Sequence, residues 1–155
     1  MDFNSLYQDE KIDFTGIQSR QFLIGLLSAF DNRFQAVADS FFEEITWKQF
    51  FAIICVNLCK TPPTLNELSD IMGSSHQNVK QILLKLENKG FIEMISDETD
   101  RRKKRVHLTK QCFEFCQRNE DKSQQEINKM FEGISEEQLA VTIQTILQME
   151  RNLSL

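Results

Sequence analysis

The 155 residues are 41% hydrophobic and 26% charged, which is ordinary for one folded domain or for two small lobes sharing a core. No apolar run approaches the roughly 18 residues that a membrane span needs. The start, MDFNSLYQDEK, lacks the basic and apolar regions of a secretion signal, so a cytoplasmic protein with no membrane partner is expected. Net charge is −5, which speaks against polyanion binding over the whole surface.

Charge is nevertheless unevenly placed. Between residues 73 and 110, nine Lys/Arg stand against five Asp/Glu, a net of +4, leaving −9 on the rest. A basic centre inside acidic flanks is the footprint of a localised polyanion site.

In chain order, residues 17–43 read as one long helix. Leu23, Leu27, Phe30, Phe34, Val37 and Phe41 repeat at steps of four and three, a heptad-like seam. Phe22, Leu26, Ala29 and Phe42 widen the seam beyond what one neighbour covers, as in a helix shared between a core and a partner subunit. Thr46 can cap a second helix over 47–59, which Pro62-Pro63 breaks. Thr64-Leu65-Asn66-Glu67 is a capping box opening a short helix. Gly73-Ser74-Ser75 is a tight turn carrying another cap. A helix over 76–89 follows, with Val79, Ile82, Leu83 and Leu86 inward and Gly90 as its stop.

Two short helices joined by a Gly-containing turn make a helix-turn-helix candidate, a pattern shared with many αα-hairpins. The next residues discriminate. Segments 91–95 and 105–109 alternate like strands, and 96–104 between them is too long for a tight turn. A helix-turn-helix followed by a β-hairpin is a winged helix. Two more helices are expected over 110–131 and 136–153, the second opened by a Ser135–Gln138 capping box, and the polar middle of the first, 117–126, should be solvated. The fold class is therefore mainly α with a small β-wing.

The run MGSSHQNVKQILLKLENKGFIE, followed by DETDRRKKRVHLT, resembles the MarR (multiple antibiotic resistance regulator) winged-helix family. The agreement lies at Gly73, Ser75, Val79, Leu86, Glu87, Gly90, Asp100, Arg101, Arg102, Val106, Leu108 and Thr109. Upstream, ITWKQF at 45–50 is similar to the family's Leu-Thr-x-x-Gln-Phe helix start. The chain departs at Cys112, where the family usually has Gly, and at Ser74, where an apolar residue is common. The resemblance implies a winged helix-turn-helix plus a helical dimerisation region. Segments 1–45 and 111–155 would form the dimer interface and 46–110 the DNA-binding domain. It further implies a homodimeric transcriptional regulator, commonly a repressor, on a pseudo-palindromic operator in double-stranded DNA. A small-molecule effector or oxidant would often loosen the complex.

The residues make their own case for DNA. Ser74, Ser75, His76, Gln77 and Asn78 sit at a helix N-terminus, whose N–H groups and dipole favour phosphate. Gln77, Asn78 and Gln81 are of the type that pairs bidentately with adenine in the major groove. Lys80 and Lys85 lie further along the outward side, although a polar helix face is often only a solvated one. In the wing, Arg102 is expected in the minor groove, where the potential is strongly negative. Asp100 would position it, with Arg101, Lys103 and Lys104 on phosphates.

Two other readings stay open. Cys55/Cys59 and Cys112/Cys116 would meet in a thiol-based sensor if their helices pack, against the plainer reading of small buried core residues. A winged helix used only for protein contacts would show no DNA affinity. Nucleophile, phosphate-loop and metalloprotease motifs are lacking, and with two His no His-rich metal cluster can form, so neither an enzyme nor a cofactor is expected.

Overall fold

The computed structural model describes residues 2–7 and 11–153. The segments 1–45 and 111–155 thus include positions 1, 8–10, 154 and 155, which lie outside the described residues. The chain divides into two compact units, one up to Phe113 and one from Glu114.

The first unit begins with α1 (Phe3–Tyr7) and α2 (Ser19–Ala38). An aromatic cluster joins them: Phe3 stacks on Phe22 at 4.2 Å, and Phe14 meets Phe22 edge-on at 5.0 Å. The long helix expected over 17–43 is shorter. It stops at Ala38 because Ser40 and Phe41 fold back, their N–H groups donating to the Val37 and Ala38 carbonyls. The Asp39 carboxylate then accepts the Trp47 N–H at 2.7 Å. This turn drives Phe41 and Phe42 into the core, 6% and 4% exposed. Burying each side chain is worth about 1.5–3 kcal/mol, more than continued helix would return. Of the seam along α2, Phe30 and Val37 remain half exposed, at 51% and 59%.

Next come α3 (Trp47–Leu58), α4 (Leu65–Ile71) and α5 (His76–Asn88). Thr46 and Thr64 each form complete capping boxes, with Gln49 and Glu67. Ser75 caps α5 by accepting the Asn78 N–H. Removing the Thr64 hydroxyl orphans the Glu67 N–H, so Thr64→Ala is expected to lower stability by about 1 kcal/mol in urea unfolding. Val79, Ile82, Leu83 and Leu86 are buried, as their period requires.

The hairpin consists of β1 (Ile92–Ser96) and β2 (Lys104–Leu108), antiparallel with Met94 opposite Val106. Both strands are displaced by one residue from the expected 91–95 and 105–109. Phe91 and Thr109 still pair by backbone, the Thr109 N–H donating to the Phe91 carbonyl at 3.1 Å. The Thr109 hydroxyl is turned to other work: it donates to the Gly90 carbonyl and accepts the Cys112 N–H, capping the next helix. Gly90 has φ +74°, and a Cβ there would stand 2.7 Å from the Gln111 side chain.

Helix α6 (Lys110–Met130) runs across the division between the units. The second unit adds α7 (Glu136–Asn152), entered through Gly133 at φ +78° and capped by the Ser135–Gln138 box. Among the described residues, none of α7 is buried. Val141, Ile143, Ile146, Leu147 and the following Leu153 are all exposed.

Candidate nucleic-acid interface

The turn between α4 and α5 is built from short-range hydrogen bonds. Gly73 supplies a left-handed φ of +58°, and a Cβ there would meet nothing within 4 Å, so conformation alone calls for glycine. The Ser74 N–H donates to the Ser69 carbonyl at 3.0 Å. The Asn78 amide reaches back to the Ser74 hydroxyl at 2.8 Å. Ser74 and Asn78 therefore meet, and Asn78 has one amide N–H committed to holding the turn. Ser75, His76, Gln77, Lys80, Gln81 and Lys85 are exposed and Ser74 is half-buried. Gln77, Gln81 and Lys85, spaced by four, form one outward row along α5.

Beside this turn lies a cleft of about 370 Å³. Phe34, Trp47 and Phe51 line it, together with Lys48, Ser74 and Asn78. With Asp31 also in its lining, it combines aromatic walls with one cation and one carboxylate, and it reaches the turn that leads into α5.

At the wing, the tip 97–103 is closed by two backbone bonds, Asp97 N–H to the Lys103 carbonyl and Lys103 N–H to the Asp100 carbonyl. Asp100 accepts from the Arg102 N–H at 3.2 Å and from its Nε at 3.1 Å. It also faces Lys103 Nζ at 3.9 Å. The Arg102 side chain is 92% exposed. Arg101 and Lys104 are exposed beside it.

Sequence reading missed the group that organises this tip. Asp97 is buried, and its carboxylate accepts from the Thr99 hydroxyl at 2.6 Å, the Thr99 N–H at 2.8 Å and the Asp100 N–H at 2.9 Å. Arg105 Nε donates to its other oxygen. The spacing Asp-x-Thr-Asp was the available signal, since Asp side chains commonly bond their own backbone two residues on. The Thr99 hydroxyl above all, then the Asp100 amide and Arg105, hold the Asp97 carboxyl well below the usual carboxylate range.

A depressed carboxylate stabilises the folded state above its unfolded pKa, about 3.9, and that contribution fades as pH falls towards the folded value. Wing order should therefore be constant from pH 8 to about pH 4 and be lost only in stronger acid. Amide exchange of Thr99 and Asp100 across that range checks it.

Cys55 and Cys112 are buried, whereas Cys59 and Cys116 are half-buried. Cys59 Sγ donates to the Cys55 carbonyl at 3.1 Å. Burial, then the neighbouring Cys59, pushes the Cys55 thiol up, which suppresses the reactive thiolate. Among the described residues no group of three or more His, Cys, Asp or Glu could hold a metal ion, and no helix is long and apolar enough to cross a membrane.

No known family model matches the chain. Solved structures do match, and they show its fold. A MarR/EmrR family transcriptional regulator from Acinetobacter sp. ADP1 is 16% identical, with 89% of this chain and 99% of that one covered and a TM-score of 0.78. MepR of S. aureus, solved as a DNA complex, is 19% identical over 88% and 99% of the two chains, with a TM-score of 0.72. FabT of Streptococcus pneumoniae, also in complex with DNA, is 25% identical over 88% and 98%, with a TM-score of 0.62. The fold is thus a mainly helical winged helix with a two-stranded wing, the fold of MarR-type transcriptional regulators.

Proposed function

We propose that this protein is a MarR-family regulator that binds a pseudo-palindromic operator in double-stranded DNA as a homodimer and acts as a repressor. The observation that carries this reading is the wing tip: Arg102 stands almost fully exposed while Asp100 orients its guanidinium. A long cation held outward at a hairpin tip suits a narrow minor groove. The row Gln77, Gln81 and Lys85 on α5 is the major-groove counterpart, and Ser74, Ser75, His76 and Asn78 crowd its N-terminal end. Lys80, Arg101, Lys103 and Lys104 face phosphates. The DNA complexes of the similarly folded MepR and FabT support the choice of ligand.

Segment 46–110 is the DNA-binding part in this reading, and 1–45 and 111–155 hold the dimer together. The support for dimerisation is the exposed apolar side of α7, a kind of surface that single chains rarely leave to water. A small-molecule effector would occupy the cleft beside Trp47 and Ser74. Filling it would shift the turn into α5 and release the operator.

The test of the wing assignment is Arg102→Ala. Loss of a charge-assisted contact of about 1.5–3 kcal/mol per protomer predicts roughly 10- to 150-fold weaker binding per half-site. Because the surface pair with Asp100 contributes little to stability, thermal unfolding should be unchanged. Unaltered affinity, read by fluorescence anisotropy on a selected operator, would remove Arg102 from the interface.

A further inference from the structure

Arg105 belongs to the run of five cations from Arg101 to Arg105, but its surroundings set it apart from the other four. Its side chain is 32% exposed, against 92% for Arg102 and 62% for Lys103. Nε donates to Asp97 in the wing. Nη1 donates to the Pro62 carbonyl at 2.8 Å, and the same nitrogen lies 4.0 Å from Glu67 in the α4 capping box. One guanidinium therefore touches both the wing and the segment leading into the helix-turn-helix.

The backbone repeats the connection. Arg105 bridges Thr64, and the Val106 N–H donates to the Pro63 carbonyl at 2.8 Å. Pro62 and Pro63, which lie beyond the extended Cys59 cap of α3, thus present two successive carbonyls to β2. On the other side of the wing, the Met94 N–H donates to Glu87 of α5 at 3.3 Å.

We propose that Arg105 is a positioning residue for DNA recognition: it fixes the wing against the α3–α4 loop, and so sets the reach from α5 to Arg102, without touching DNA itself. This rests on the DNA-binding reading above. The planar fork is what the site needs, because two acceptors in different segments must be met at fixed angles. A lysine ammonium carries the charge without that geometry.

The experiment uses the full chain with Arg105→Gln, Arg105→Lys and Asp97→Asn, and Lys103→Gln as the comparison. Three readouts are taken: amide exchange at Thr99 and Asp100, operator affinity, and the slope of log affinity against log salt. A residue that contacts phosphate contributes about 0.9 to that slope per contact. Lys103→Gln should therefore flatten it by roughly 1.8 for a dimer. Arg105→Gln should weaken binding by about 10-fold, the size of one charged hydrogen bond, while leaving the slope within about half a unit of wild type. Thr99 and Asp100 should lose exchange protection in Arg105→Gln and Asp97→Asn, with the unfolding transition of the helices retained. Arg105→Lys should fail to restore affinity.

A slope that flattens in Arg105→Gln as it does in Lys103→Gln overturns the proposal, as does full rescue by lysine, since either makes Arg105 a charge on DNA. Exchange at Thr99 and Asp100 that is unchanged in Arg105→Gln overturns it too, and that readout needs no DNA. If the wild-type protein binds no DNA while those amides do lose protection, the regulator reading fails, and with it the recognition role. The tie between wing and loop would then be purely structural.

Discussion

Raising salt from 50 to 200 mM is expected to weaken operator binding by about 10³- to 10⁵-fold. The size of the effect follows from the charges that can displace counterions. Lys80, Arg101, Lys103 and Lys104 are exposed on α5 or the wing, which gives eight phosphate-facing cations in the proposed dimer. At about 0.9 per contact, the slope of log affinity against log salt is roughly −7. Arg105 is left out because Asp97 and Pro62 engage it. The overall charge of −5 sharpens the effect: away from this face the acidic surface repels the duplex, so little affinity should survive at high salt. Anisotropy titrations at four salt concentrations measure the slope. A flat response would favour the alternative in which the winged helix contacts only proteins.

The second large effect concerns assembly. Leu147→Asp places a carboxylate on the apolar side of α7, where Ile143, Ile146 and Leu147 are exposed in the single chain. The proposed dimer would have to bury that charge unpaired, at several kcal/mol. Light scattering should then report a monomer where the parent protein is a dimer at micromolar concentration. Losing the second half-site removes the gain from linking two binding modules, so operator affinity should fall by about 10²- to 10⁴-fold. Helix content should hold, because Leu147 is 44% exposed without a partner. A parent protein that is itself monomeric at these concentrations would contradict the assembly.

What could be read from the sequence follows from the range of the interactions involved. The boxes Thr46–Gln49, Thr64–Glu67 and Ser135–Gln138 each close within four residues, so residue type and spacing were enough to find them. The inward face of α5 was legible for the same reason, since 3.6-residue periodicity is a local property. The end of α2 was not. It depends on Asp39 reaching Trp47 and on two Phe side chains finding a core that other segments build.

In the candidate site, the exposed residues of α5 and the wing were visible as polar or basic residues on otherwise apolar patterns. The pairing of Asp100 with Arg102 was legible too, because the two stand only two positions apart, and the carboxylate does meet that guanidinium. The division of labour among five adjacent cations was illegible. Arg105 differs from its neighbours only because strand pairing brings it to Pro62, 43 positions earlier. Asp97 was half legible: the spacing to Thr99 signals a turn, but its burial against Arg105 is a tertiary fact.

Selection of bound fragments from a random duplex pool by the purified full chain tests the central claim most directly. The expected result is one enriched motif with two inverted half-sites about one helical turn apart, roughly 10–10.5 base pairs between centres, with A·T-rich steps where Arg102 would enter the minor groove. Recovery of no motif, or of a single site without inverted symmetry, would contradict it.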